Sequence, residues 1–294
     1  MFLTGQDGDL AFGVVGFVLV LFSIVFITFL ASRSFEPTVA RIFLALVIVG
    51  PIGMILINRI GRNDVFVILG AVIFALHGRR FFLLLIGLML MLLGNPEQTV
   101  VAMSILLLIS MMPQLRQWRM KAFAGLAVAL VVFAPLWLLA RSVGVKSRIE
   151  FLQEYLSNSF YAFAANLPLS LYAAFGAVWL ILGWLFIKSS MRNRVWLLLA
   201  LVVVPVMVTM ITVDQTRVFI GVTTAAVVVL LKEYLPELVQ QVADLNFRPI
   251  LAGSFIIVLF LPVIDIWGSS GHASTPYLWF FTSIVPQIKV LILG

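Results

Sequence analysis

Long apolar stretches separated by short polar breaks run along almost the whole chain. Because backbone that faces lipid must satisfy its own hydrogen bonds, such stretches predict α-helices that lie in a membrane. Counting them predicts about eleven spans, at residues 10–31, 39–58, 64–78, 80–94, 98–114, 121–141, 167–187, 195–213, 216–231, 249–264 and 275–291. The predicted fold is therefore all-α, a polytopic integral membrane protein with one transmembrane helical domain over residues 1–294.

The third to fifth predicted spans are shorter than the ~20 residues that a full crossing requires. The region 64–114 therefore fits either a re-entrant pair or strongly tilted helices, and the sequence leaves both open. The first apolar stretch begins at Leu10 and lacks a basic segment before it and a small-residue cleavage site. We expect it to be a retained helix rather than a signal peptide.

Composition agrees with the membrane prediction. Hydrophobic residues make up 63% of the 294 residues and charged residues 11%, and cysteine is absent. A soluble domain has about 25% charged residues. The absence of cysteine excludes disulfides, thiol catalysis and cysteine-bound metals. The net charge of +7 is assigned to cytoplasmic loops of a membrane protein, so no nucleic-acid partner is expected.

The distribution of charge predicts the orientation. With the N-terminus outside, thirteen of the nineteen basic residues fall on the inside and eight of the twelve acidic residues fall on the outside. Basic residues are enriched in cytoplasmic loops, so this bias predicts an outer N-terminus and a cytoplasmic C-terminus. Two longer connections are amphipathic, near 147–163 on the outer side and near 232–247 on the cytoplasmic side. Either segment could be a connector that rests on lipid. The outer segment could instead form a lid or a groove wall for a lipid-linked substrate.

The short polar breaks predicted outside carry the candidate chemistry. They read "INRIGRNDV", "LLGNPEQTVV", "TVDQTRVF" and "IDIWGSSGHASTP". Arg59, Arg62 and Arg217 are candidate substrate-binding residues, because guanidinium groups bind phosphate oxygens in pairs of hydrogen bonds. Arg59 and Arg62 could equally contact lipid headgroups. Arg217 could equally form a local ion pair with Asp214, three residues earlier.

Three residues in the same breaks are candidate catalytic groups. Glu97 is an isolated carboxylate between two apolar stretches and therefore a candidate base, although Asn95, Pro96 and Glu97 also fit an ordinary helix start. Asp214 is a candidate orienter of Arg217, or a helix cap. His272 lies in a Gly/Ser-rich segment that is either a solvated loop or a cover over a site.

Other chemistry finds no support in the sequence. It contains no phosphate-binding loop, no pair of metal ligands at helical spacing and no nucleophile elbow. We therefore predict neither a cofactor nor a metal. Charges are almost absent from the predicted spans, which argues against a proton relay or an ion-coupled carrier.

A chain with many spans, short outer breaks and Arg, Glu, Asp and His on that face resembles the polytopic polyprenyl-phosphate-dependent glycosyltransferases. Its layout is most similar to that of the O-antigen and capsule repeat-unit polymerases. The residues that could match are Arg59, Arg62 and Arg217, with 142–166 as the larger outer loop. It departs from the lipid-sugar transferases with an outer first-loop acid, because Glu36 is predicted inside.

The resemblance implies a metal-independent glycosyltransferase of polysaccharide and cell-envelope biosynthesis in the bacterial cytoplasmic (inner) membrane. Its partners would be a polyprenyl-diphosphate-linked sugar, a glycan acceptor and the lipid bilayer. Two alternatives stay open. One is a flippase for lipid-linked oligosaccharides or a small-molecule transporter. The other is a non-catalytic subunit of a membrane complex, in which the outer charges would contact membrane-protein partners.

Overall fold

The computed structural model describes residues 9–58, 63–77, 80–143, 167–210, 215–243, 263–267 and 270–274, together with Ala164 and Thr212. Among these residues helices dominate, which confirms the helical class. In chain order they are α1 (Asp9–Ser34), α2 (Pro37–Leu44), α3 (Pro51–Asn58), α4 (Asp64–His77), α5 (Phe81–Gly94), α6 (Pro96–Ile109), α7 (Arg119–Ser142), α8 (Leu167–Phe175), α9 (Val178–Lys188), α10 (Met191–Leu198), α11 (Val204–Thr209) and α12 (Gln215–Ala243).

Four helical segments are long and apolar enough to cross a membrane. They are Val14–Ser34, Pro113–Leu139, Met191–Thr209 and Gln215–Val242. A fifth results if α8 and α9, which meet at 94°, form one span. The chain is thus a helical protein suited to a membrane, while the count of eleven spans and the orientation remain predictions.

Helices α12 and α4 form the centre of the bundle. Within the most apolar window of α12, 83% of the residues are buried, and in α4 every residue from Asp64 to Leu76 except Phe66 is buried. Helices α1 and α7 lie at the periphery, where Val25 is 67% exposed and Val131 is 73% exposed. Large apolar side chains that point away from a bundle are the surface that lipid covers.

Two glycines allow α4 and α5 to pack with their backbones in contact. A Cβ atom on Gly70 would lie 2.5 Å from the carbonyl oxygen of Gly87, and one on Gly87 would lie 2.7 Å from that of Gly70. Small residues permit this close approach between helices in membranes. The close packing of α4 against α5 is therefore specified by the positions of glycines in two neighbouring apolar stretches.

We expect Gly87→Ala to lower the free energy of unfolding by about 1–3 kcal/mol, the range for forcing a group into a packed interior. The matched control is Gly183→Ala in α9, where a Cβ atom would meet nothing within 4 Å. In Gly183→Ala the free energy of unfolding should be unchanged or slightly higher, because alanine is more favourable than glycine in the interior of a helix. Unfolding in detergent micelles measures both, and equal stabilities would contradict this account of the packing.

Two of the predicted spans contain a π-helical turn near a proline, and the first of them also breaks at Gly50, before α3. Span 39–58 becomes α2, a π-helical turn at Ala45–Val49 and α3, which starts at Pro51. Span 195–213 becomes α10, a π-helical turn at Leu199–Val203 and α11, which contains Pro205. Proline lacks a backbone N–H and clashes with the carbonyl four residues earlier, so the helix widens before it.

Three further segments differ from the sequence-based expectation. Residues 98–114 end as α6 at Ile109, before a 3₁₀-helix at Pro113–Trp118. The segment from Lys232 continues α12 without a break as far as Ala243. Strands β1 (Val263–Trp267) and β2 (Ser270–Ser274) pair antiparallel where a helix end and a loop were expected. The outer amphipathic segment 147–163 and the last predicted span lie outside the described residues.

Candidate functional site

Three parallel helices begin at one end of the bundle. Arg217 near the start of α12 contacts Asp64 at the start of α4, and Gln98 in the first turn of α6 packs against Gly221 of α12. We call Asp64, Glu97, Gln98, Gln215 and Arg217 the N-terminal cluster. The first turns of all three helices carry the positive ends of the helix dipoles, which favours negative charge at this end of the bundle.

Arg217 and Asp64 form the charged part of the N-terminal cluster. Nη1 of Arg217 lies 3.5 Å from Oδ2 of Asp64, and the side chains are 20% and 10% exposed. Charge-assisted hydrogen bonds of this type are usually 2.7–2.9 Å long, so this ion pair is a loose one. Asp64 suits the start of α4, whereas Arg217 adds positive charge to the positive end of α12.

Glu97 lies half-buried in the first turn of α6. The side chain of Asn95 caps this helix, with its Oδ1 accepting a hydrogen bond of 3.0 Å from the backbone N–H of Gln98. Pro96 occupies the first helical position, so the helix start predicted from "GNPEQT" is confirmed. Because Asn95 makes the cap, the start of α6 does not depend on a cap by Glu97.

Two buried glutamines of the N-terminal cluster were not singled out from the sequence. Gln98 is 2% exposed, and neither amide atom has a hydrogen-bond partner among the described residues. Gln215 is 1% exposed, and its Oε1 accepts a hydrogen bond of 3.0 Å from Oγ of Ser170 in α8. The sequence signal was weak because glutamine next to a helix start is ordinarily exposed to solvent.

The structure places the predicted site residues only in part. Glu97 and Arg217 lie at the same end of the bundle. Arg59, Arg62 and Asp214 lie outside the described residues, so their convergence with Arg217 stays a prediction. His272 lies on β2, paired in register with Asp265 of β1.

The ion-pair partner observed for Arg217 is Asp64, which lies 153 residues away in sequence. The sequence suggested only the local partner, Asp214. Asp64 was visible in "GRNDV" as an outer acidic residue, but nothing in the sequence connected this break with "TVDQTRVF". The tertiary structure brings the two together because α4 and α12 pack side by side.

A second polar cluster lies at the opposite end of the same helices. Nζ of Lys232 donates to the carbonyl oxygens of Ala75 and Leu76, at 3.0 and 2.6 Å, and so caps the end of α4. Glu233 accepts a hydrogen bond of 3.0 Å from the indole of Trp118. These groups use their hydrogen bonds within the protein, which fits an anchoring role.

The break between α2 and α3 and the bend between α8 and α9 meet against α12, deep in the bundle. At Gly176, between α8 and α9, the backbone has φ +48°, and a Cβ atom there would lie 3.1 Å from the ring of Pro51. Glycine adopts this left-handed conformation without steric cost. A cavity of about 10 Å³ lies here, lined by ten residues that include Pro51, Phe175, Thr223 and Thr224. It has room for about one water molecule.

Among the described residues, no group of three or more His, Asp or Glu side chains could hold a metal ion. The apolar exterior, the buried central helix and the polar clusters at both ends define the class as an α-helical membrane protein. Beyond this class, comparison with protein-family models, curated protein sequences and solved structures gives no match.

Proposed function

We propose that the protein is a glycosyltransferase of the bacterial cytoplasmic membrane that uses a polyprenyl-diphosphate-linked sugar on the outer face. The observation that supports this most is the N-terminal cluster, where Arg217 and Asp64 lie at the end of the bundle at which three helices begin. A guanidinium and the positive ends of helix dipoles are groups that bind phosphate in proteins. The remainder of the central helices is strongly apolar, which suits a lipid-linked substrate.

The chemistry assigns one role to each charged group. The hydroxyl oxygen of the glycan acceptor attacks the anomeric carbon, and the bond from that carbon to the diphosphate oxygen breaks. The bonding electrons leave with the diphosphate, whose charge Arg217, together with Arg59 and Arg62, stabilises without a metal. The carboxylate of Glu97 accepts the hydroxyl proton. Attack from the face opposite the diphosphate inverts the anomeric configuration.

In this proposal Asp214 orients Arg217 from three residues earlier in the sequence, and Asp64 does so from α4. His272 is the alternative base. The product, a polysaccharide of the O-antigen or capsule type, follows from the resemblance in layout alone.

The orientation belongs to the same proposal: an outer N-terminus, a cytoplasmic C-terminus and eleven spans place the N-terminal cluster outside. Ser157→Cys should be labelled by an impermeant thiol reagent in intact cells, and Ser190→Cys only after the membrane is permeabilised. The chain has no cysteine of its own, so labelling reports the introduced site alone. The reverse pattern would overturn the topology and move the N-terminal cluster to the cytoplasmic side.

The second candidate function is a flippase or small-molecule transporter. The break before Pro51 and the bend at Gly176 favour it, because discontinuous helices are typical of transporter binding sites.

One experiment distinguishes the candidates. The purified protein is placed in lipid vesicles with a polyprenyl-diphosphate-linked sugar and a glycan acceptor. We expect elongation of the acceptor. Movement of the lipid-linked sugar between leaflets without elongation would favour the transporter, and neither activity would favour a subunit of a membrane complex.

A further inference from the structure

Gln98 is a buried carboxamide for which the described part of the chain supplies no hydrogen-bond partner. The side chain is 2% exposed, and Oε1 and Nε2 both lack a hydrogen-bond partner among the described residues. Burying an amide in this way is unfavourable relative to burying one whose hydrogen bonds are satisfied. The neighbouring polar groups are committed elsewhere, since Oδ1 of Asn95 accepts from the backbone N–H of Gln98 and the hydroxyl of Thr99 donates to the carbonyl oxygen of Asn95.

A glycine on α12 makes room for this carboxamide. A Cβ atom on Gly221 would lie 2.5 Å from Oε1 of Gln98, closer than any side-chain carbon can approach. Gly221 lies four residues after Arg217, so both are on the same face of α12. The carboxamide is therefore about one helical turn, or roughly 5 Å, further into the bundle than the start of the Arg217 side chain.

A ligand that fits this pair of sites has an anionic group and, a few ångströms away, a group that both donates and accepts hydrogen bonds. A hydroxyl group meets the second requirement, because it can accept from Nε2 and donate to Oε1 of one carboxamide. We propose that Gln98 binds a hydroxyl group of the donor sugar while Arg217 binds the adjacent phosphate. This inference rests on the proposed function and makes Gln98 a specificity-determining residue of the same site.

The test compares two lipids. Wild-type protein in detergent is titrated with undecaprenyl diphosphate, with and without one N-acetylglucosamine, and the dissociation constants are measured. We expect the sugar-bearing lipid to bind about tenfold more tightly, the value of one or two hydrogen bonds. In Gln98→Met, which keeps the length of the side chain and removes both polar atoms, this preference should disappear. Binding of the bare diphosphate and the unfolding temperature should not fall.

A second variant keeps the inference falsifiable if Gln98→Met does not fold. Gly221→Ala leaves the carboxamide intact but occupies its place, so it should also remove the preference for the sugar. Gly183→Ala, at an open position on α9, is the matched control and should retain it.

The remaining outcomes are distinct. If Gln98→Met retains the preference, the carboxamide holds only a buried water and the inference is wrong. If the wild-type protein binds both lipids equally, the inference is wrong while the proposed diphosphate site stands. If it binds neither lipid, the proposed function fails as well.

Discussion

Glu97→Gln is expected to lower the rate of glycosyl transfer by about 10²–10⁴-fold, the typical loss when a general base is removed. Glutamine preserves the shape of the side chain and most of its hydrogen bonding but accepts no proton. The cap of α6 should persist, because Asn95 supplies it. Turnover of acceptor by the purified variant, at saturating donor, is the measurement.

The matched control for this prediction is Glu237→Gln. Glu237 is an exposed carboxylate near the far end of α12 that accepts a hydrogen bond of 2.9 Å from Gln241. The same chemical change there should leave turnover unaltered. If Glu97 only favours the helix start, its replacement would cost about 0.3–1 kcal/mol of stability and leave turnover intact. His272 would then be the base to test. If replacement of His272 also left turnover unchanged, neither residue would be the base.

Arg217→Gln is expected to have the second largest effect, on both folding and binding. The variant leaves the mostly buried carboxylate of Asp64 without its ion pair, and breaking a buried pair from one side costs about 3–5 kcal/mol. Removal of the guanidinium should also abolish measurable binding of the bare polyprenyl diphosphate. Unfolding and lipid titration in detergent measure the two effects separately.

Two further variants separate the structural role of Arg217 from its binding role. Asp64→Asn combined with Arg217→Gln removes both charges, so stability should largely recover while diphosphate binding does not. Arg217→Lys keeps the positive charge beside Asp64 but cannot make paired hydrogen bonds to a phosphate. It should fold normally and bind the diphosphate about 10–100-fold more weakly. Unchanged binding in Arg217→Lys would show that Arg217 serves only the ion pair.

The sequence by itself determined the class of the protein. Apolar stretches of helical length without charges cannot fold as a soluble domain, so composition alone predicted helices suited to a membrane. It also determined where one helix begins, since Asn95 followed by Pro96 is typical of a helix start. The short length of the stretches between 64 and 114 was equally visible, and α4, α5 and α6 are 14 residues each.

The positions at which helices break or widen were harder to predict from the sequence. Pro51 and Pro205 lie inside apolar stretches, and proline in a membrane helix is compatible with a straight, kinked or interrupted course, depending on what packs beside it. The two-stranded pairing of Val263–Trp267 with Ser270–Ser274 was missed for a related reason. A short apolar run does not distinguish a strand from the end of a helix.

Only the tertiary structure decided the candidate site. The pairing of Asp64 with Arg217 and the insertion of Gln98 against Gly221 join residues that are more than a hundred positions apart. Apolar periodicity fixes which residues avoid water, but in a bundle that is apolar on all sides it does not fix which helices become neighbours. That choice depends on close contacts such as the one between Gly70 and Gly87, whose geometry exists only after the helices have packed.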